Sequence, residues 1–272
     1  MNPPPTIITI ESVQNPRIKQ ALRLRDAGTR RQTGRFLIDG DREIALAQQH
    51  GIELEVVFVA AGQTPLPHSS AATELRPLAS VPLQPVTSAV LGKLSYGQRG
   101  AESVAVAKTP LKTLRSLQWQ SSQLLLVLDQ TEKPGNLGAC LRTASACGVA
   151  AVILTDPVCE PYNPNAIRAS RGTIFSLNLL IGTREEFLAC AQAQRIPLFA
   201  ARVDARQELW QQDFSSGGAI LFGSEAHGLG SHWDLPEVRP FTIPMQGVTD
   251  SLNLSISTAV TLYEALRQRQ KV

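Results

Sequence analysis

The chain has 272 residues, of which 43% are hydrophobic and 18% are charged, and its formal net charge is +3. This composition excludes a disordered chain, and the length favours two domains over one. A net charge this small does not by itself indicate a polyanionic partner. No apolar run approaches the ~20 residues that span a bilayer, and MNPPPTIITIES at the N-terminus has no basic segment followed by an apolar one. We therefore expect an unexported cytoplasmic protein without a membrane contact.

The cysteines give no sign of a disulfide framework or a zinc site. Cys140, Cys147, Cys159 and Cys190 form no CxxC pair and have no histidine at ligand spacing. We expect reduced thiols and no bound metal ion.

Basic residues are concentrated near the N-terminus. From position 17 to position 35 the only acid is Asp26, and the basic residues are Arg17, Lys19, Arg23, Arg25, Arg30, Arg31 and Arg35. Such a stripe is typical of a surface that contacts phosphates, and equally of a solvated helix face. The stripe alone leaves both interpretations open.

The N-terminal part of the chain predicts a small α/β unit. NPRIKQALRLRD indicates a basic helix, GRFLIDGDREIALAQQHG a strand, turn and helix, and LEVVFVA a strand. Residues 61–85 are rich in Pro, Ser, Thr and Ala, which favours a partly flexible embellishment of that unit. SVAVAK predicts one last short strand.

The pattern changes after a linker around TPLKTLRSLQWQSSQ. LLLVLD (124–129) predicts a buried strand, LGACLRTASACG a helix closed by Gly148, and AVILTD the next strand. The alternation continues through NPNAIRASRG, REEFLACAQAQ, PLFAAR, AILFG, FTIPM and a long terminal helix, SLNLSISTAVTLYEALRQRQK. Alternating strands and helices predict crossover units and a mainly parallel sheet.

Three loops that follow predicted strands combine glycines with polar residues. They are DQTEKPGNLG (129–138), GSEAHGLG (223–230) and MQGVTDSLN (245–253). Ligands of open α/β sheets bind outside the carboxyl ends of the strands. If the three strands are neighbours, these loops form one pocket.

Three interpretations of GSEAHGLG compete: a hydrolase nucleophile, a metal site, or a backbone cradle for a bound molecule. Ser224 directly follows Gly223, which does not fit the G-x-S-x-G elbow of a hydrolase. His227 has no second histidine or cysteine nearby, and neither a P-loop nor a dinucleotide fingerprint follows a strand. A cradle and a plain structural turn both remain open.

Three motifs in a fixed order carry a resemblance to a known family. NLGACLRTASACGV, FGSEAHGLG and IPMQGVTDSLNLSISTAV resemble the three motifs of the SpoU (TrmH-like) branch of the SPOUT RNA methyltransferases, and PYNPNAIRASRG between the first two is similar as well. The N-terminal NPRIKQALRLRD and GRFLIDGDREIALA resemble the L30e-like RNA-binding domain that often precedes that catalytic domain.

The resemblance implies an α/β chain with three parts. They are an L30e-like RNA-binding domain over residues 1–108, a linker over 109–120, and a SPOUT domain over 121–272 with a mainly parallel sheet and a C-terminal trefoil knot. It also implies a homodimer formed through the C-terminal domain. The family transfers a methyl group from S-adenosylmethionine to a ribose 2′-hydroxyl, so GSEAHGLG becomes the cofactor cradle.

The same resemblance assigns candidate residues. The catalytic candidates are Asn136, Arg142, Glu225, Ser251 and Asn253. The cofactor-binding candidates are Phe222, Gly223, Ser224, Gly228, Ile243, Met245 and Leu252. The RNA-binding candidates are the seven basic residues of the stripe.

Each candidate also has a purely structural interpretation. Asn136 and Ser251 are plausible helix caps. Arg142 can be a surface cation, and Glu225 can be a solvated loop carboxylate. The cofactor-binding candidates can be ordinary core residues. An arginine stays protonated near neutral pH, so we expect an electrostatic role for Arg142. Glu225 is expected to orient loop amides or the arginine of a second copy.

Ribosomal RNA is the preferred substrate, because an L30e-like leading domain is typical of rRNA-directed members. Transfer RNA is the alternative substrate. A non-catalytic RNA-binding or ribosome-assembly protein is a further alternative, against which the intact motifs argue.

Overall fold

The computed structural model describes residues 8–62, 81–96, 102–110 and 112–270. The chain forms two compact units: unit 1 comprises Met1–Pro110 and Tyr162–Ser176, and unit 2 comprises Leu111–Pro161 and Leu177–Val272. Among the described residues no helix is both long enough and apolar enough to cross a membrane. The stretch predicted to be flexible, 61–85, lies outside the described residues between positions 63 and 80.

Unit 1 is built on a mixed sheet. Among its described residues the strand order is β1-β4-β2-β3, in which β4 runs antiparallel to both β1 and β2, and β3 runs parallel to β2. The elements of its N-terminal part are α1 (Pro16–Arg23), α2 (Ala27–Thr33), β1 (Arg35–Asp39), α3 (Asp41–Gln49), β2 (Leu54–Ala60), β3 (Leu83–Val86), α4 (Ser88–Leu94) and β4 (Ser103–Lys108).

Most of the basic stripe folds as two short helices, and Arg35 begins β1. Asn15 caps α1 by accepting from the Arg17 N–H at 2.9 Å, and Pro16 occupies the first helical position, where it needs no donor. Asp26 caps α2 in the same way through Thr29. The pattern NPRIKQALRLRD correctly predicts the first helix, whereas the break before α2 was not anticipated.

One residue of the stripe is committed to the fold. The Arg30 side chain is buried, and its Nη1 donates to the carbonyl oxygens of Leu24 at 2.9 Å and Arg25 at 2.8 Å. It therefore satisfies carbonyl groups at the end of α1, which lack helical partners. The prediction that Arg30 contacts RNA is not compatible with this burial.

A segment from later in the chain completes unit 1. Tyr162–Ser176 contains α6 (Pro164–Ala169). The Tyr162 ring packs at 4.9 Å, centroid to centroid, from the ring of Phe36 on β1, and Phe175 stacks on Phe36 at 6.2 Å. The motif PYNPNAIRASRG thus contributes a helix and aromatic packing to this unit.

Unit 2 contains a parallel sheet. Its described residues form six strands in the order β10-β8-β9-β5-β6-β7, and all adjacent pairs are parallel. The elements are β5 (Leu124–Asp129), α5 (Pro134–Ala146), β6 (Ala151–Thr155), β7 (Leu179–Gly182), α7 (Arg184–Gln194), β8 (Leu198–Ala201), β9 (Gly218–Phe222), β10 (Val238–Phe241) and α8 (Leu254–Arg269).

The core of unit 2 lies on both faces of this sheet. Every residue of β5, β6 and β9 is buried, as expected for central parallel strands covered by helices on each side. The predicted α/β class with a mainly parallel sheet is confirmed. Cys140, on α5, lies in this interior, and burial raises the pKa of its thiol to about 12.

Several predicted boundaries in unit 2 were wrong. Helix α5 begins at Pro134, one turn before the predicted Leu137, and α8 begins at Leu254 after the predicted Ser251. The strand assigned to FTIPM lies earlier, at Val238–Phe241, and β7 was not predicted. In unit 1, the end of the stretch predicted to be flexible forms β3 beside β2.

Candidate active site

Two of the three motif loops leave the sheet side by side. Strands β5 and β9 pair in parallel up to Leu128 opposite Phe222. The loops that follow them, the β5 loop (130–133) and the β9 loop (223–237), therefore start at the same edge. The β10 loop (242–253) follows a strand that β8 separates from β9. The assumption of three neighbouring strands thus holds for only two of them.

The β10 loop reaches the other two because helix α8 packs against α5. Cys140 Sγ on α5 lies 3.4 Å from Thr258 Oγ1 on α8. This packing places Asn253, immediately before α8, beside the first turn of α5. Its Nδ2 donates to Asn136 Oδ1 at 3.2 Å. Helix packing, and not strand adjacency, joins the third motif to the first.

Glu225, from the β9 loop, accepts hydrogen bonds from three groups around the start of α5. Its Oε1 accepts from Asn136 Nδ2 at 2.8 Å, and its carboxylate accepts from the backbone N–H groups of Glu132 at 3.2 Å and Lys133 at 3.3 Å. Lys133 is the N-cap residue of α5 and makes no side-chain cap bond. The Glu225 carboxylate therefore satisfies amides at the positive end of this helix.

The hydrogen bonds decide between the cap and non-cap interpretations of three residues. Asn253 is the N-cap of α8, since its Oδ1 accepts from the Ser255 N–H at 2.9 Å. Ser251 is exposed and lies before the cap, so the prediction that it caps this helix was wrong. Asn136 lies inside the first turn of α5 and is not its cap. We call the bonded series Glu225, Asn136 and Asn253 the carboxamide chain.

The glycines of the β9 loop are required by the loop itself. A Cβ on Gly223 would lie 2.0 Å from the carbonyl carbon of Gly228, far inside van der Waals contact. The Gly228 N–H donates to Ser224 O at 2.9 Å, and the His227 N–H donates to Ser224 Oγ at 3.2 Å. Gly228 has a φ of 64°, which favours glycine. The loop is thus a closed backbone turn, so its glycines do not by themselves prove a ligand site.

The remaining cofactor candidates lie at the end of β9 and in the β10 loop, where backbone amides have no hydrogen-bond partner among the described residues. Phe222 and Ser224 are buried, whereas Ile243, Met245 and Leu252 are partly buried. Between positions 243 and 252, no backbone N–H donates a hydrogen bond within the part of the chain that the structure describes. Free amides beside partly buried apolar side chains fit a nucleoside-containing cofactor.

Arg142 lies apart from the carboxamide chain. Its side chain is exposed on α5 and makes no hydrogen bond or ion pair with another described residue. Arg142 follows Asn136 by six residues, a separation of about 9 Å along the helix axis and about 240° around it. Arg142 and Asn136 therefore point to different sides of α5 within one copy of the chain.

Asp129 is a buried acid outside the set of predicted site residues. It is 1% exposed and accepts from Thr155 Oγ1 at 2.7 Å and from Trp233 Nε1 at 3.0 Å. Arg184 Nη2 lies 3.7 Å from its Oδ2, and His232 Nε2 lies 3.4 Å away. Asp129 thus ties the ends of β5 and β6 to the β9 loop. The sequence signal that could have indicated this residue is an acid at the end of the apolar run LLLVLD.

Replacing Asp129 by asparagine is expected to lower the free energy of unfolding by about 1–3 kcal/mol, because buried donors lose a charged acceptor. Urea denaturation measures the change. Glu185→Gln is the matched control: its carboxylate lies 3.7 Å from Arg184 Nη1 but is 75% exposed, so a loss below about 0.5 kcal/mol is expected. Equal losses in the two variants would contradict a structural role for the buried network.

No candidate metal centre is present among the described residues, since none of their His, Cys, Asp and Glu side chains form a group of three suited to hold an ion. The groups that the structure brings together at this site are carboxamide, carboxylate and backbone amide groups. These groups can orient a polar substrate and bind a nucleoside.

Family models match both parts of the chain. The SpoU rRNA Methylase family matches residues 123–263, and the MRM3-like substrate binding domain matches residues 15–105. The first match covers more than half of the chain, and the chain therefore belongs to the SpoU rRNA methylase family. This membership confirms the resemblance and makes the protein an S-adenosylmethionine-dependent RNA methyltransferase.

Individual relatives extend over nearly the whole chain. An uncharacterised tRNA/rRNA methyltransferase of Synechocystis sp. is 33% identical over 97% of this chain and 95% of its own. A 23S rRNA uridine 2′-O-methyltransferase of Streptomyces viridochromogenes is 30% identical over 92% of this chain and 88% of its own.

Solved structures agree with this likeness. The crystal structure of an RNA 2′-O ribose methyltransferase is 40% identical, with a TM-score of 0.82 over 96% of this chain and 99% of that one. The SpoU methyltransferase AviRb of Streptomyces viridochromogenes, in complex with AdoMet, is 29% identical, with a TM-score of 0.83 over 94% of this chain and 98% of that one.

Proposed function

We propose that this protein transfers the methyl group of S-adenosylmethionine to a ribose 2′-hydroxyl of ribosomal RNA. The observation that carries the proposal is the carboxamide chain, in which residues from all three motifs meet at one edge of the sheet. The named activities of the Streptomyces viridochromogenes relative and of the 40% identical structure support the ribose 2′-hydroxyl as acceptor.

The cofactor supplies an electrophilic methyl group, and the chain supplies its alignment. Methyl transfer is a displacement that needs the acceptor oxygen held in line with the bond that breaks. The β10 loop offers backbone amides next to Ile243, Met245 and Leu252 that have no hydrogen-bond partner in the described part of the chain. Together with Phe222, Gly223, Ser224 and Gly228 at the end of β9, these residues form the proposed cofactor site.

The carboxamide chain is proposed to hold the acceptor side of the site. Both polar atoms of the Asn136 carboxamide are engaged, one with Glu225 and the other with Asn253. Asn136 is therefore oriented by its neighbours and is suited to position a hydroxyl. Ser251, exposed two residues before Asn253, is proposed to lie near that hydroxyl as well.

Arg142 is proposed to bind the phosphate beside the target ribose and to stabilise the developing alkoxide. A guanidinium stays protonated near neutral pH, so an electrostatic role suits it better than proton abstraction. Its side chain is exposed and has no partner among the described residues, so it is available for a phosphate. Because Arg142 and Asn136 lie on different sides of α5, we propose that each active site combines Asn136 of one copy with Arg142 of a second copy.

A homodimer formed through unit 2 supplies that second copy. Ile256 and Tyr263, seven residues apart on one side of α8, are 50% and 54% exposed. Exposed apolar side chains on the helix that carries Asn253 favour a subunit interface there. The return of the chain from β10 to α8 beside α5 supports the predicted trefoil knot, which stays part of the proposal.

The RNA is proposed to contact the exposed members of the basic stripe. Arg17, Lys19, Arg23 and Arg31 are exposed and Arg35 is partly buried. Arg25 donates to the carbonyl oxygen of Ser95 at 2.7 Å and lies over the Tyr96 ring, so it serves the fold at least in part. Phosphate contacts of this kind supply affinity and position, and little sequence information.

The test is transfer of labelled methyl to rRNA and tRNA from cells that lack this protein. Label in rRNA, retained in an alkali-resistant 2′-O-methyl dinucleotide, is the expected result. Label in tRNA alone would overturn rRNA as the substrate. Transfer RNA is the alternative substrate, and the name of the Synechocystis relative includes both RNAs. No label in free RNA or in assembled ribosomal subunits, despite cofactor binding by calorimetry, would favour a non-catalytic RNA-binding protein.

A further inference from the structure

Unit 1 contains a groove that the motifs did not indicate. It has a volume of about 680 Å³ and lies between the helices of the basic stripe and the sheet. Arg17, Arg23 and Arg35 line it, together with Gln32 of α2 and Val56 of β2. Three of the seven basic residues of the stripe thus face one concave space, which lies within the size range of small-ligand pockets.

The guanidinium groups at this groove are held in place by the protein. Gln84 is buried, and its Oε1 accepts from Arg17 Nη1 at 3.2 Å. Arg35 Nε donates to Glu55 Oε2 at 2.7 Å, and its Nη1 donates to Thr33 O at 3.1 Å. Each arginine has five N–H donors, so both keep donors for an anion after these bonds.

The third arginine has no such support. The Arg23 side chain is exposed and makes no hydrogen bond or ion pair with any residue that the structure describes. One acid at the groove, Glu55, faces three arginines. The local charge is therefore positive even though the charge of the whole chain is only +3, and the groove is complementary to a phosphate.

The side chains of Val56 and Phe58 give the groove an apolar floor. Val56 is partly buried, and Phe58 is almost fully buried at 1% exposure. The floor thus presents aliphatic surface and no exposed aromatic ring for stacking. Gln32, exposed at the rim, carries a carboxamide that can both donate to and accept from a base edge.

We propose that this groove takes a single unpaired nucleotide of the RNA substrate, with its base in the cleft and its phosphate on the arginines. The inference rests on the proposed function and adds to it the feature that unit 1 recognises. A concave cleft of this size does not accept a paired A-form helix, whereas bulges and loops present bases that can enter it. Duplex regions then contact only the exposed basic residues outside the groove.

The probes for the test are a fluorescein-labelled RNA hairpin with one bulged nucleotide and the same hairpin fully paired. Fluorescence anisotropy with the full-length protein is expected to show tighter binding of the bulged hairpin. Arg17→Ala/Arg23→Ala is expected to weaken that binding by about tenfold and to abolish the preference. Gln32→Trp, which fills the cleft without a change of charge, is expected to abolish the preference and to leave binding of the paired hairpin intact.

The matched control is Lys19→Ala/Arg31→Ala, which removes the same charge from exposed positions of α1 and α2 outside the groove. It is expected to weaken both hairpins by one common factor and to keep the preference. Equal binding of the two hairpins by the unmodified protein, or equal effects of the two double variants, would overturn the groove assignment.

Methyl transfer to rRNA, measured in parallel, separates the two proposals. If the unmodified protein is active and the groove variants have an unchanged KM for rRNA, the groove assignment is overturned and the proposed function stays intact. If RNA binding depends on the groove but no RNA is methylated, the proposed function is overturned and the groove assignment is supported.

Discussion

Replacement of Arg142 by alanine is expected to lower kcat for methyl transfer by about 10²–10³-fold, the usual cost of removing one group that stabilises charge in the transition state. Binding of S-adenosylmethionine is expected to stay unchanged, because the proposed cofactor site contains no arginine. Folding is expected to be unaffected as well, since the Arg142 side chain is exposed and makes no hydrogen bond or ion pair with the described residues. Single-turnover methyl transfer and calorimetric titration of the cofactor measure the two effects.

Arg115→Ala is the matched control for this prediction. Arg115 is also an exposed arginine of unit 2, and it lies outside all the proposed sites. Its removal tests whether the loss of one positive charge weakens RNA binding in general. Near-normal kcat in Arg142→Ala, or an equal loss in Arg115→Ala, would refute the role proposed for Arg142.

A mixture of two inactive variants tests whether the active site is shared. In a dimer of one Arg142→Ala copy and one Asn136→Ala copy, one of the two sites would combine the intact residues. Random pairing is then expected to restore about a quarter of the normal activity. No recovery after unfolding and refolding the two variants together would show that both residues act from the same copy.

Replacement of Gly223 by alanine is the second change with a large expected effect. The added methyl group would overlap the Gly228 backbone at 2.0 Å, and backbone at this distance cannot move aside as a flexible side chain does. The turn must open, which is expected to lower the free energy of unfolding by about 1–3 kcal/mol. Glu225 moves with the turn, so its hydrogen bonds to Asn136 and to the start of α5 are expected to be lost.

We therefore expect Gly223→Ala to lose at least about tenfold in cofactor affinity, equivalent to roughly 1.4 kcal/mol, and to lose methyl transfer with it. Calorimetry and urea denaturation measure these effects. Gly92→Ala is the control, because a Cβ at Gly92, an exposed position in α4, meets no atom within 4 Å. A Gly223→Ala variant with normal stability and normal cofactor affinity would show that the turn tolerates the methyl group.

Much of the fold was predictable because its signals are local. The buried runs LLLVLD and AILFG form β5 and β9, and REEFLACAQAQ forms α7. Boundaries were less predictable where several nearby residues suit the same role. Both Ser251 and Asn253 can cap a helix, and only the hydrogen bond from the Ser255 N–H shows that Asn253 does so. The strand β10 was placed too late because FTIPM is more apolar than VRPF, the segment that pairs with β8.

The sequence by itself determined the family, the alternation of strands and helices, and the identity of the polar residues in the motif loops, since these properties reside in short stretches of chain. Only the tertiary structure decided which of those residues meet. Glu225 is 89 positions from Asn136, and Asn253 is 117 positions from it. The strand order places β9 beside β5, and the packing of α8 on α5 places Asn253 there too. Contacts at such separations depend on how whole elements pack, a property that no local pattern of residues encodes.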